Sequence, residues 1–155
     1  MNKIRMLLLA VVVALSVSAF TCSTTQAPTV CQDVPGPSLL EKYVPDLKLA
    51  DTMFKLSVLE VGRLSAVRQK DVAKVLDEAE ALLNAGTTYD GLVMYLLPKF
   101  KWMQEFGGQE IVIVGEYFTS FEGIKTPIEP RDVCYLKHHI DGQRKKVLPW
   151  IKKQM

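Results

Sequence analysis

The stretch Val72-Ala73-Lys74-Val75-Leu76-Asp77-Glu78-Ala79-Glu80-Ala81-Leu82-Leu83 decides the fold class. Apolar residues at 72, 75, 76, 79, 82 and 83 recur at helical spacing, Lys74, Asp77, Glu78 and Glu80 take the other faces, and Gly86 supplies a stop. This pattern predicts an amphipathic helix over about 66–85, whose apolar stripe needs other elements to cover it.

Those elements are sought on both sides. Toward the N-terminus, Leu39, Leu40, Tyr43 and Val44 form a short turn or two stopped by Pro45. Asp46 is placed to cap a helix carrying Leu47, Ala50, Met53, Phe54, Val58 and Val61. Toward the C-terminus, Thr88 caps a helix through Leu92, Leu96, Phe100 and Met103 that Gly107-Gly108 closes and that Pro98 is expected to kink or restart. Ile111-Val112-Ile113-Val114, followed by Tyr117 and Phe118, is a β-branched run between glycines and predicts a buried strand or hairpin near 111–118. Residues 119–130 read as loop. Residues 131–155 read as helix, with a hairpin at Asp141-Gly142 as the alternative. The expected class is therefore α-rich α+β: three to five helices in one domain over 38–155 with a short strand element.

The 155 residues suffice for one self-supporting core. Nineteen basic and seventeen acidic side chains give +2, and the excess is Lys3 and Arg5 at the extreme N-terminus. Residues 22–155 thus carry no net charge, which argues against nucleic acid as a partner. Charge is nevertheless polarised. Between Gln104 and Pro130 five glutamates stand against Lys125 alone, whereas from Arg131 onward seven cations stand against Asp132 and Asp141. Arg144, Lys145, Lys146, Lys152 and Lys153, with Trp150 among them, are the candidate contact residues for anionic lipid or an acidic envelope partner.

Lys3 and Arg5 precede an unbroken apolar run from Met6 to Leu15, and small residues follow at Ser16, Ser18 and Ala19. This is the layout of a secretory signal over 1–21, too short for a membrane-spanning helix. Ala19-Phe20-Thr21-Cys22 resembles a bacterial lipobox, which implies diacylation of Cys22 and a lipid anchor on the periplasmic side of the membrane. Residues 23–29 are small, polar and uncharged, as suits a flexible tether over 22–37. Cleavage after Ala19, giving a soluble periplasmic or secreted chain, is the alternative.

The chain has three cysteines. With Cys22 acylated, Cys31 and Cys134 are left as an even pair that an oxidising compartment would join, closing a loop of about 100 residues. The spacing offers no thiolate metal site, and no nucleophile, phosphate-loop or zinc-protease motif is present. His138 and His139 are adjacent, so regular structure points them in different directions, and a solvated polar patch is the expectation. No catalytic residue, cofactor or metal is assigned. The function expected is a non-enzymatic interaction or structural module at the membrane surface, the alternative being a soluble periplasmic binding or hydrolytic protein whose site leaves no local motif.

Overall fold

The computed structural model describes residues 31–44, 47–105 and 109–154. The expected leader, Cys22, the tether up to residue 30, the Pro45 stop, the Asp46 cap and the Gly107-Gly108 stop lie outside the described residues. The elements are α1 (Leu39–Tyr43), α2 (Leu47–Leu64), α3 (Ala66–Asn84), α4 (Tyr89–Gln104), α5 (Gln109–Thr119) and α6 (Pro130–Gly142). A widened helical turn, Gln143–Val147, carries α6 directly into α7 (Leu148–Gln154).

Helix α3 confirms the deciding stretch. Ser65 caps it by accepting from the Arg68 N–H, and Val72, Leu76, Ala79 and Leu83 are buried. At its far end Gly86 takes φ +77°, and the Gly86 and Thr87 N–H groups donate to the Leu83 and Leu82 carbonyls. This closes the helix by the pair of bonds that a left-handed residue permits. Thr88 then caps α4 through the Gly91 N–H.

Short connections make successive helices antiparallel neighbours: α2 packs on α3, α3 on α4, α4 on α5, and α5 also returns to α2. The α6–α7 rod lies across α3 and, near its end, across α2. Gly62 makes that last crossing close, since a Cβ there would stand 2.4 Å from the Ile151 side chain. Gln69 ties the same junction by donating to the Leu148 carbonyl at 2.9 Å. The widened turn precedes Pro149, which has no N–H to offer the preceding carbonyls. One end of the bundle thus carries the α2–α3 corner and α7. The other carries residues 31–38, the α3–α4 turn and the 120–130 segment.

Two sequence expectations need correction, and the helix expected over 131–155 is found as far as Gln154. The strand or hairpin near 111–118 is instead α5, and the described residues contain no strand, only a single bridge between Thr88 and Pro127. Four consecutive β-branched residues favour extended backbone only weakly. Here packing against both α2 and α4 outweighs that preference, burying Val114 while leaving Val112 exposed, a helical and not an alternating pattern. Among the described residues the helix so gained brings the total to six, one above the expected range, when α6, the widened turn and α7 are taken as one rod. Pro98 does not restart α4, which runs through it. Pro98 is exposed and Met94, one turn earlier, is 60% exposed, so the carbonyl deprived of a partner lies on the solvent side. Residues 131–154 are helical, and the hairpin alternative at Asp141-Gly142 is not adopted.

The two faces of α3 give a direct check. Leu76→Ala should lower the unfolding free energy by about 2–5 kcal/mol, whereas Lys74→Ala, which removes an exposed one-turn contact to Glu78, should change it by less than about 0.5 kcal/mol in denaturant titrations.

Candidate functional site

The helices leave a partly open apolar hollow between them. A cavity of about 110 Å³ lies among α2, α3, α4, α5 and α6. Val72, Leu76, Ala79 and Leu83 form its α3 wall, and Leu92, Leu96, Phe100 and Met103 its α4 wall. The periodic positions that identify these helices in the sequence are thus the positions that line the cavity. Phe54, Phe100 and Phe118 make an aromatic arc along one side, with ring centres 6.2 Å and 5.2 Å apart in sequence along the arc.

A further wall comes from outside the long helices. Leu40 and Val44 of the segment 31–44 line the cavity and are buried. This segment is a strap whose five-residue helix cannot hold itself in place. Asp132, fully buried near the start of α6, holds it. One carboxylate oxygen accepts from the backbone N–H of Leu39 at 2.9 Å and of Leu40 at 3.2 Å, and the other accepts from the Ser38 hydroxyl. A carboxylate at the first turn of a helix satisfies N–H groups that have no partner within the helix. Tyr89 donates its hydroxyl to Asp132 at 2.6 Å and accepts from the Glu129 N–H at 3.0 Å, which joins strap, α4 and α6 in one knot. Burial, reinforced by the bond to Asp132, pushes the Tyr89 hydroxyl far above its ordinary value, so it stays a donor at any physiological pH.

Two more ties secure the strap. Cys31 and Cys134 stand at disulfide distance, with Cα atoms 6.0 Å apart. In the chain-entropy account a link across 103 residues is worth about 4–5 kcal/mol. Arg131 donates to the Val34 carbonyl at 3.0 Å and pairs with Glu41 at 3.7 Å.

The titratable polar pair in the cavity lining is Asp51 and His139, which are hydrogen-bonded to each other at its edge with side chains 25% and 20% exposed. Lys55, one turn beyond on α2, also binds the Asp51 carboxylate, and the His139 ring stands 5.0 Å from that of Phe54. Burial opposes ionisation of Asp51, but the hydrogen bond and charge of His139, with Lys55, outweigh it and hold the carboxyl below its ordinary value. His139 is therefore not the solvated group that adjacency implied. Its neighbour His138 is exposed. Among the described residues no three His, Cys, Asp or Glu side chains are grouped to hold a metal ion.

The residues singled out for surface contact fall into two sets. Arg144 is engaged by Asp77 at 2.7 Å, by Glu80 and, more loosely, by Asp141. Lys145, Lys146, Lys152 and Lys153 are exposed, and Trp150 is partly so. Cys22 lies outside the described residues. What sequence reasoning missed are Asp132, Tyr89, Asp51 and His139 as partners. Comparison with known protein families, curated proteins and solved structures finds no match for this chain.

Two outcomes are expected. Asp132→Ala leaves two N–H groups and two hydroxyls without their acceptor at about 1–3 kcal/mol each, so calorimetry should show a loss of at least about 3 kcal/mol. The Asp51 contribution has the sign of a depressed carboxyl: it is fully present above the unfolded value, near 4, and is lost as pH falls through the lower folded value. The Tm advantage of the native chain over Asp51→Asn should therefore shrink below about pH 4.

Proposed function

We propose that the chain is an exported, non-enzymatic binding module that holds a small apolar molecule, or the end of an acyl chain, in the cavity between its helices, and that a lipid on Cys22 keeps it at the periplasmic side of a bacterial membrane. The observation that carries the proposal is the cavity: about 110 Å³, lined almost wholly by aliphatic and aromatic side chains. Apolar cavities of this order take up benzene-sized guests, which displace water that finds no polar partners on such walls. The wall supplies dispersion contacts and desolvation, and the Asp51–His139 pair at the edge gives a polar group on the ligand a place to face. The location rests on the leader and on Cys22 within a lipobox-like stretch.

The test is uptake of benzene and of an apolar naphthalene dye, read as a rise in Tm that grows with ligand concentration and as dye fluorescence. Ala79→Leu, which puts three more carbons into the cavity from a buried lining position, should abolish both signals while leaving the helical spectrum unchanged. Cys22→Ser should convert membrane retention that survives a high-salt wash into retention that the wash removes, without altering uptake. No uptake by the native chain, or equal uptake by Ala79→Leu, contradicts the binding function.

A further inference from the structure

The chain has two tryptophans, and both stand at the α2–α3 corner end of the bundle. Arg63 lies over the Trp150 ring, 5.4 Å from its centre, and Arg68 over Trp102 at 5.0 Å. Between these stacks the corner projects Leu64 and Val67, 54% and 66% exposed. Lys152 and Lys153 are exposed on α7 beside Trp150. Among the described residues, Arg63, Lys152 and Lys153 join no ion pair.

Large aliphatic side chains held out in water gain nothing for the fold. Tryptophan rings settle at the headgroup level of a bilayer, and an arginine stacked on such a ring keeps its charge outward, toward phosphates. Protruding aliphatics, indoles and unpaired cations on one surface are the chemistry of an interfacial contact with anionic lipid. We propose that this end docks on an anionic phospholipid surface, with Leu64, Val67 and Trp150 entering the headgroup layer and Arg63, Lys152 and Lys153 on the phosphates.

This inference uses neither the cavity nor the anchor, although it is compatible with both. Asp132 and Trp150 are separated by about 27 Å of helix, and the nine chain steps from Cys22 to Cys31 reach about 30 Å when extended. An acylated Cys22 and this face therefore both reach one bilayer when the tether runs alongside the bundle.

Because Trp150 lies in the proposed face, with Trp102 partly buried beside the core and unchanged, tryptophan fluorescence reports the contact. The exported chain carrying Cys22→Ser is mixed with phosphatidylglycerol vesicles or with phosphatidylcholine vesicles. On the anionic vesicles the emission should shift to the blue and be quenched by lipids brominated on the acyl chain, and the effect should weaken with salt. Combined Arg63→Glu, Lys152→Glu and Lys153→Glu should lower vesicle affinity at least about 100-fold, at roughly 1 kcal/mol per charge removed from the surface. Lys152→Arg with Lys153→Arg should preserve binding, and Leu64→Asp with Val67→Asp should remove the blue shift. No shift or quenching on anionic vesicles overturns the proposal, as happens if the face serves an acidic protein instead. Equal binding to phosphatidylcholine, or undiminished binding by the charge-reversed chain, overturns it as well. Dye uptake in vesicle-free solution is independent of all these outcomes, so failure here leaves the cavity reading standing.

Discussion

A single buried carboxylate organises one end of this molecule. Asp132 accepts from the Leu39 and Leu40 amides, from Ser38 and from Tyr89, and thereby fastens a strap too short to fold by itself onto two long helices. The charge is stabilised by donors from three directions instead of by a counter-ion, an arrangement that satisfies a buried carboxylate and fixes the geometry of whatever donates to it. The Cys31–Cys134 contact restricts the same segment from its other end. Leu40 and Val44, which these ties position, form a wall of the cavity. Without the knot the cavity has no such wall, and the four-helix face behind it opens to water.

That dependence separates the parts of the structure readable in the sequence from the parts that are not. The periodic faces of α2, α3 and α4 were legible because each helix buries a stripe, and a stripe is a local signal. The Cys31–Cys134 pairing was legible because reading Cys22 as the lipobox cysteine leaves two of the three. The segment 111–118 was misread because β-branched composition was weighed without the neighbours that bury it: contact with both α2 and α4 makes α5 a helix against its composition. Asp132 and Tyr89 are 43 residues apart, and Asp51 and His139 are 88 apart, so no spacing rule brings either pair together. A fold assembles such contacts from afar, and they decide the site here.

Chemically, the two ends of the bundle differ. The Tyr89 end is a closed network of hydrogen bonds in which Tyr89 and Asp132 are both buried. The α2–α3 corner end is open, cationic and aromatic, with its aliphatic side chains turned outward. Between them the cavity is apolar with a hydrogen-bonded carboxylate–imidazole pair at its edge.

The cavity with its pinned wall is the central claim, and methyl chemical shifts test it most directly. With methyl groups labelled and benzene added to saturation, the account predicts shifts for Val72, Leu76, Leu83, Leu92 and Leu96, and for Leu40 and Val44 of the strap, while the outward methyls of Leu64 and Val67 stay in place. Unchanged interior methyls, or interior and outward methyls that shift alike, would contradict it.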